Sequence, residues 1–422
     1  MKLMVVGSGG REHALIKKLR ENPAVETVYA LPGNGGMEGE AVCVPVKAVD
    51  IPGLVDFACG HGIDFAVVAP DDPLVLGAVD ALEEAGIPCF GPDKKAAIIE
   101  GSKVFSKELM QKYGIPTAAC RVFDDMNEAL AYIEEAPLPI VVKADGLALG
   151  KGVTVAFDRE EARGAVIGAM QEKRFGKSGE RLVIEEFLEG PEVSVLALTD
   201  GRTLVPLSSS MDHKAAWDGD KGPNTGGMGT VAPNPYYTEE IAARCMQEIF
   251  LPTIRAMAAE GRPFKGCLYF GLMLTKDGPK VIEYNCRFGD PETQVVLPLL
   301  GSDLLTLMQA VHDETLAEQA VCLKDGAAAC VIMASQGYPL SYEKGFPIEI
   351  PEALHPYVIV AGAKKEGGKL LTNGGRVLGV CAQEETLEKA VETAYQRTEQ
   401  IHFANACYRH DIGKRALAAK EK

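Results

Sequence analysis

The sequence predicts a multidomain protein of mixed α/β and α+β class, and three observations carry that expectation. The first hundred residues alternate short apolar strands with helical stretches, the pattern of a parallel sheet covered by helices. Beyond them a glycine-rich loop, Lys143–Gly152, joins two strands directly, as in an antiparallel sheet. The segment Val281–Glu292 then alternates polar and apolar residues strictly before turning through Gly-Asp-Pro-Glu. At 422 residues the chain has room for roughly two to four packed units.

The elements follow in order. Leu3–Val6 reads as a strand leading into a glycine turn, and Glu12–Arg20 as the helix after it. Val25–Ala30 is the second strand, ending at Leu-Pro-Gly-Asn34. Phe65–Ala69 is the next, ending at Pro70-Asp-Asp-Pro73, with a helix over Leu74–Ala85 and a closing strand at Ile87–Phe90. From Gly101 the texture changes: Lys103–Tyr113 is helical, and Pro139–Lys143, Val153–Phe157, Leu182–Phe187 and Glu192–Thr199 are strands. A long loop rich in Gly, Asp and Asn runs from Asp212 to Gly229. A helix near Glu239–Met257 precedes the strand Cys267–Leu274. After Ala327 strands and turns return, and Leu387, Ala390, Val391, Ala394 and Tyr395 mark an amphipathic helix.

Composition narrows the function class. Apolar residues make up 47% and charged residues 24%, ordinary for a soluble globular protein. The balance of 43 basic against 59 acidic residues gives a net charge of -16. Such a surface repels nucleic acid and anionic lipid, so an anionic ligand must be drawn into a local basic cleft. A small-molecule partner fits, with no nucleic acid and no membrane. The eleven cysteines lack zinc spacing and read as reduced thiols, and the N-terminus lacks a signal-peptide core. The expected location is the cytoplasm.

The strand entering Asn285 is the most informative feature. Side chains two apart share a strand face, so Glu283, Asn285 and Arg287 point one way, and Tyr284, Cys286 and Phe288 the other, into a core. A carboxylate, an amide oxygen and a guanidinium in one row can hold a hard metal ion together with phosphate oxygens. The turn Gly7-Ser-Gly-Gly-Arg-Glu-His13 invites a dinucleotide-binding reading. The fingerprint's third glycine falls at Glu12, however, and the ribose-binding acid about 20 residues on is missing. A phosphate on the turn and helix N-terminus beside Arg11 remains open, as does a plain tight turn. The Lys143–Gly152 loop is not a P-loop, since a strand follows it; it can fold over phosphates as a flap, with Lys143 and Lys151 supplying charge. Glu185-Glu-Phe-Leu188 sits where a strand end can read an adenine through its backbone.

Taken in order, these segments resemble the glycinamide ribonucleotide synthetases, or phosphoribosylamine–glycine ligases, of the ATP-grasp superfamily. The matching stretches are Gly-x-Gly-Gly-Arg-Glu-His-Ala14, Pro-Gly-Asn34, Glu-Gly-Ser-Lys103, Lys143–Gly152, Glu-Glu-Phe-Leu188, Asp212-His-Lys, Asn224-Thr-Gly-Gly-Met-Gly229, Glu283–Glu292, Thr372-Asn-Gly-Gly-Arg376 and Asp411-Ile-Gly. The resemblance implies a pre-ATP-grasp substrate domain over 1–101 and an ATP-grasp small subdomain with the flap over 102–190. It implies a catalytic domain over 191–326 and a small α+β C-terminal domain over 327–422, in a monomer.

The implied substrates are ATP, glycine and 5-phosphoribosylamine, with Mg2+ or Mn2+. Lys103, Lys143, Lys151, Glu185, Glu186, Phe187, Leu188 and Glu192 are implied to hold the nucleotide, and Glu283 and Asn285 the metal. Arg287, Lys143 and Lys151 are the implied catalytic cations. Gly9, Gly10, Arg11, Asn34, Asp71, Asp212, His213, Lys214, Asn224, Thr225, Gly226, Gly227 and Asp290 are implied to surround phosphoribosylamine and glycine. At Asp71 the chain departs from the family, whose members commonly carry a glutamate. Three rivals stay open at this point: an ATP-grasp ligase with another amine or acid, an NAD-dependent oxidoreductase built on the first domain, and a catalytically inactive nucleotide-binding regulator.

Overall fold

The computed structural model describes residues 1–147 and 152–420. Its first five strands form a parallel sheet in the order Val42–Cys43, Thr27–Pro32, Lys2–Gly7, Phe65–Val68, Cys89–Phe90. Leu3 to Val6 are buried throughout, as a strand covered on both faces must be. The strand order reverses between Lys2–Gly7 and Phe65–Val68, which opens a crevice at their carboxyl ends. Gly9 to Arg11 follow the first of these strands and Asp71 the second, so sequence order alone delivers them to one place.

The second sheet is antiparallel, in the order Cys120–Phe123, Leu182–Glu186, Ile140–Ala144, Val153–Ala156. It packs on the helices Met126–Glu135 and Arg159–Val166 around a core of its own. The third, also antiparallel, runs Leu204–Pro206, Glu192–Asp200, Lys265–Thr275, Gly278–Asn285. One face shares a core with the N-terminal sheet, where Met4 and Val6 join Val193, Phe270 and Tyr284. The fourth sheet takes strands from both sides of position 326: Met211–Asp212 and Gly229–Ala232 lie beside Ala327–Ser335, followed by Arg376–Glu384 and Val358–Val360. Among the described residues no helix is long and apolar enough to cross a membrane.

Three expectations change. The helix expected over Leu74–Ala85 is two helices, Asp71–Leu76 and Ala78–Glu84. Gly77, at φ +94°, ends the first in the left-handed region that glycine enters without steric cost. The helix near Glu239–Met257 carries a π turn over Met246–Phe250. The long Asp212–Gly229 loop contains a hairpin, Ala215–Trp217 against Lys221–Asn224.

His213 anchors that hairpin and is 1% exposed. Its Nδ1 lies 3.1 Å from the Gly229 carbonyl, and its Nε2 accepts the Gly413 N–H at 3.1 Å. The ring is therefore a neutral Nδ1–H tautomer joining the hairpin base to the C-terminal segment. Burial above all, with Arg409 and Arg415 adding to it, pushes its pKa down from 6.5 to about 4, against the opposing Gly229 bond and Asp220. The unfolded imidazole takes its proton near pH 6.5 and the folded one only near 4, so acid favours the unfolded chain. The stability His213 gives is full above the higher value and is lost as pH falls toward the lower. Between pH 7.5 and pH 5 the wild-type chain should lose about 2 kcal/mol more stability than His213→Gln, by denaturant titration of both proteins. Equal losses would show that the imidazole is not held neutral.

Candidate active site

The strand Gly278–Asn285 builds the centre of the site. Tyr284, Cys286 and Phe288 are buried, and Glu283, Asn285 and Arg287 face the opposite way, as the alternation requires. Arg287 Nη2 lies 3.0 Å from Glu100 Oε1, 3.9 Å from Asp71 Oδ2 and 3.3 Å from Asn285 Oδ1, while the buried Arg287 Nε has no hydrogen-bond partner among the described residues. Burial works against the charge on Asp71, but Arg287 and Arg11 outweigh it and hold the carboxyl below its ordinary range. For Glu100 burial wins over Arg287 and raises the pKa. Glu283 is ringed by cations. Burial again opposes its charge, yet Lys214, Lys143, Lys103 and Arg287 together lower its pKa. Lys214 Nζ is 3.5 Å from Glu283 and 3.3 Å from Glu192, and Glu192 is the main cause of its raised pKa.

On the nucleotide side, Lys143 Nζ reaches Glu185 Oε2 and the Ile282 carbonyl, each at 3.0 Å. Glu185 is not a solvated strand-end acid. It is buried between Lys143 and Lys107, whose Nζ is 3.3 Å from Oε1, and that oxygen has no hydrogen-bond partner among the described residues. Lys103 Nζ donates to the Gly146 carbonyl at 2.8 Å, tying the helix Lys103–Tyr113 to the start of the flap, and burial lowers its pKa. Lys151 lies outside the described residues. The ladder of Leu182–Glu186 ends at Glu186, whose carboxylate takes the Ala119 N–H and Lys280. Phe187 and the half-buried Leu188 follow, with the Phe187 ring centroid 6.0 Å from that of Phe157.

The glycine turn is closed from within. Gly9 N–H donates to Glu12 Oε2, and Arg11 N–H to Asp290 Oδ2 at 3.3 Å, so carboxylates already cover the helix N-terminus, which favours the tight turn over the phosphate site that the sequence also left open. The Arg11 side chain turns inward to Glu12 and to the Phe288 carbonyl. The Asn34 amide donates to the carbonyls of Ser8 and Val360, which fixes the loop and joins the N-terminal sheet to the C-terminal one. Beside it a cavity of about 410 Å3 is lined by Ser8, Gly33, Asn34, Lys364, Lys365 and Asn373, among others.

Asp290 connects these parts. It accepts from Gln294 Nε2 at 2.9 Å and lies 3.4 Å from Arg376 Nη2. Arg376 also donates to the carbonyls of Gly226, Gly227 and Asp290. Gly226 N–H donates to the Tyr338 hydroxyl, and Thr225 Oγ1 closes the turn between the Lys214 carbonyl and Gly227 N–H. Gly227, at φ +112°, packs where a Cβ would strike Pro291 and the Asp212 carboxylate. Asp212 is pushed well above its ordinary pKa, by burial first and then by Glu292. Asn224 is exposed at the hairpin base, and His213 has both ring nitrogens spent on backbone.

Sequence reasoning gave no role to Lys107, Glu100 or Arg376. Lys107 lies four residues after Lys103, on the same helix face, a signal available in the sequence. Glu100 and Arg376 stand in the quoted motifs, but their part as partners of Arg287 and Asp290 is a tertiary fact. Among the described residues no group of three or more His, Cys, Asp or Glu could hold a metal ion. Glu283 and Asn285 nonetheless offer hard oxygen donors side by side, and such a set suits a cation that keeps waters and phosphate oxygens.

Comparison with known proteins agrees with this geometry. Family models match the phosphoribosylglycinamide synthetase N domain over residues 1–100, the ATP-grasp (A) domain over 101–293 and the C domain over 328–415. A phosphoribosylamine--glycine ligase of Allochromatium vinosum is 50% identical over 99% of both chains, and one of Listeria monocytogenes 49% identical over 99% of this chain and 100% of that one. The crystal structure of a phosphoribosylamine--glycine ligase from Thermotoga maritima is 34% identical, with a TM-score of 0.84 over 98% of this chain and 100% of that chain. A biotin carboxylase from Campylobacter jejuni shares the fold alone, at 14% identity, with a TM-score of 0.74 over 96% of this chain and 92% of that one. With all three domains matched in order, the chain belongs to the phosphoribosylglycinamide synthetase family.

Proposed function

We propose that the chain is an ATP-dependent ligase that joins glycine to 5-phosphoribosylamine, giving glycinamide ribonucleotide, ADP and phosphate. The observation that carries this reading is the Glu283–Asn285–Arg287 row, ringed by Lys103, Lys143 and Lys214 in a protein of net charge -16. A carboxylate does not condense with an amine unaided, so the glycine carboxylate must first be activated. One of its oxygens attacks the γ-phosphorus of ATP, the bond to the bridging oxygen breaks, and ADP leaves. The amine of phosphoribosylamine then attacks the acyl carbon, and phosphate leaves with that glycine oxygen. Both steps gather negative charge, so positioning and electrostatic stabilisation should supply most of the catalysis.

The Arg287 guanidinium, 18% exposed at the end of the row, suits the phosphoryl or acyl phosphate group. The Phe187–Leu188 backbone, beyond the end of the ladder, suits the edge of adenine. Glu283 and Asn285 would hold a magnesium or manganese ion, which neutralises phosphate charge. The 5-phosphate of phosphoribosylamine suits the cavity of about 410 Å3, because the helix N-terminus is already covered. Lys364 and Lys365 there are paired with the exposed Glu366 and Glu38, and such surface pairs yield readily to a dianion.

The direct test is ADP release, which should require both glycine and phosphoribosylamine; turnover without either would reject the assignment. Glu283→Gln keeps the strand's shape and removes the row's carboxylate, so kcat should fall at least a hundredfold with the fold intact by circular dichroism. Near-normal kcat at low magnesium would remove Glu283 from the metal site. Lys364→Gln with Lys365→Gln should raise KM for phosphoribosylamine about tenfold, a loss of roughly 1.4 kcal/mol, and leave KM for ATP nearly unchanged. A matching rise for ATP, or none for either, would place the phosphate elsewhere.

A further inference from the structure

The C-terminal sheet sets two cysteines side by side. Cys330, in the strand Ala327–Ser335, and Cys381, in Arg376–Glu384, are direct partners across the antiparallel pair. Cys330 turns its backbone groups away from Cys381. The Ile332 N–H, two residues on, donates to the Met228 carbonyl at 3.1 Å, and a Cβ at Gly229 would come 2.8 Å from the Cys330 carbonyl oxygen. The Cys381 carbonyl is taken by Arg397 Nη1, at 2.6 Å. The two residues are therefore a non-hydrogen-bonded pair, in which the Cα atoms lie about 4.5 Å apart and the side chains are closest. Disulfides span Cα separations of about 4.4–6.8 Å, so the register already brings these thiols within bonding reach.

The side chains confirm the reach. Both lie on the sheet face that packs with Val295 and Val296, from the helix that follows Asp290. Gly379, the next residue of its strand on that face, leaves room for a sulfur, since a Cβ there would come 3.0 Å from Cys330 Sγ. The Cys330 thiol hydrogen-bonds to Cys381, and that contact, with burial next, holds its pKa well above the ordinary value. The charges of Asp290 and Arg376 also reach Cys330, which places the pair directly behind the substrate site. The two thiols differ in access. Cys330 is fully buried, whereas Cys381 is half-buried and lines a cavity of about 320 Å3, ample for a small oxidant.

We propose that Cys330 and Cys381 are a redox modification site that closes to a reversible disulfide, with a small peroxide as the oxidant and Cys381 as the thiol that reacts first. The Cys381 sulfur attacks one peroxide oxygen, the O–O bond breaks, and a sulfenic acid and water form. The Cys330 sulfur then attacks the Cys381 sulfur, the S–O bond breaks, and the hydroxide leaves as water with the Cys330 proton. The two sulfurs give up two electrons between them, and hydrogen peroxide is reduced to two waters. A buried thiol is inert toward an oxidant it cannot meet, so Cys330 reacts only through its partner. A pair spaced at the short end of the disulfide range makes a strained bond, and strained bonds are the ones that small thiols reopen. The bond is thus a transient mark, the kind of disulfide that a reducing compartment tolerates.

The test reads covalent structure and does not depend on turnover. The full-length wild-type protein, reduced and freed of reductant, is treated with a small excess of hydrogen peroxide under native conditions and stopped with catalase. Remaining thiols are blocked with N-ethylmaleimide in urea, and the unreduced peptides are read by mass spectrometry. The expected product is a peptide pair joined through Cys330 and Cys381, two hydrogens lighter than its parts, which glutathione returns to the two thiols. In Cys381→Ala the oxidation of Cys330 should be about tenfold slower, while the exposed Cys59 and Cys322 react as before. If Cys330 and Cys381 both stay thiols while Cys59 and Cys322 oxidise, the inference is overturned. It is overturned as well if glutathione fails to reopen the bond, or if Cys330 oxidises equally fast without Cys381. The joined peptide is read on the wild-type protein, so a variant that fails to fold leaves that result standing.

Discussion

The site depends on a single half-buried guanidinium shared between domains. Arg287 leaves the end of the catalytic strand and meets Glu100, from the helix Lys94–Gly101, and Asp71, from the crevice of the parallel sheet. Glu100 returns the link by accepting the Cys286 N–H at 2.7 Å with its other oxygen. Strand, helix and crevice are thus locked by one charge and its acceptors. Breaking a buried pair of this kind typically costs about 3–5 kcal/mol, because the surviving charge has nowhere to go. The same guanidinium keeps one donor, Nε, without a hydrogen-bond partner among the described residues. A group held on three sides with one donor unspent is positioned before its ligand arrives, and preorganised charge of that kind costs no reorganisation when the reaction begins.

Periodicity explains which parts of this arrangement could be read in advance. The Glu283–Asn285–Arg287 face was legible because a strand repeats every two residues, and the buried Tyr284, Cys286 and Phe288 follow from the same rule. The parallel sheet was legible from its continuous apolar strands, and Asp71 from its place after one of them. What stayed hidden depended on contacts between distant segments. Nothing local says that Glu12 and Asp290 cover the helix N-terminus, or that Asn34 spends its amide on Ser8 and Val360, the latter 326 residues away. His213 stood in a glycine-rich loop and so read as a substrate contact, but both its nitrogens hold backbone. Glu185 belongs with them. Its motif marked a strand end, whereas its neighbours Lys107 and Lys143 come from a helix and a strand that only the fold brings together.

The sheets divide the labour between rigidity and motion. The N-terminal and catalytic sheets share one core, and a second core adds the C-terminal sheet through Ala328, Cys330 and Ile332. Residues 120–186 keep a core of their own. That small subdomain is joined to the rest largely by polar links: Lys143 to the Ile282 carbonyl, Lys103 to the Gly146 carbonyl, and Lys280 to the Glu186 carboxylate. Hydrogen bonds can be exchanged for water or ligand at little net cost, whereas a shared apolar core cannot. The seam that can open is therefore the one that runs between the nucleotide lysines and the catalytic strand.

Charge then decides what can enter. At long range a chain of net charge -16 repels every anionic substrate, but screening confines that repulsion to about 8–10 Å at physiological salt. Inside the cleft Lys103, Lys143, Lys214 and Arg287 are close enough together to depress Glu283 in spite of its burial. A carboxylate kept ionised among these lysines suits the binding of a cation. A cluster of ammonium groups around it is tolerable only if anions are to arrive as well. Each makes sense with the other, since a metal ion and a polyphosphate entering together satisfy the carboxylate and the lysines at once. The site is thus electrostatically incomplete by itself, and its composition specifies a metal–nucleotide pair more closely than any one of its residues does.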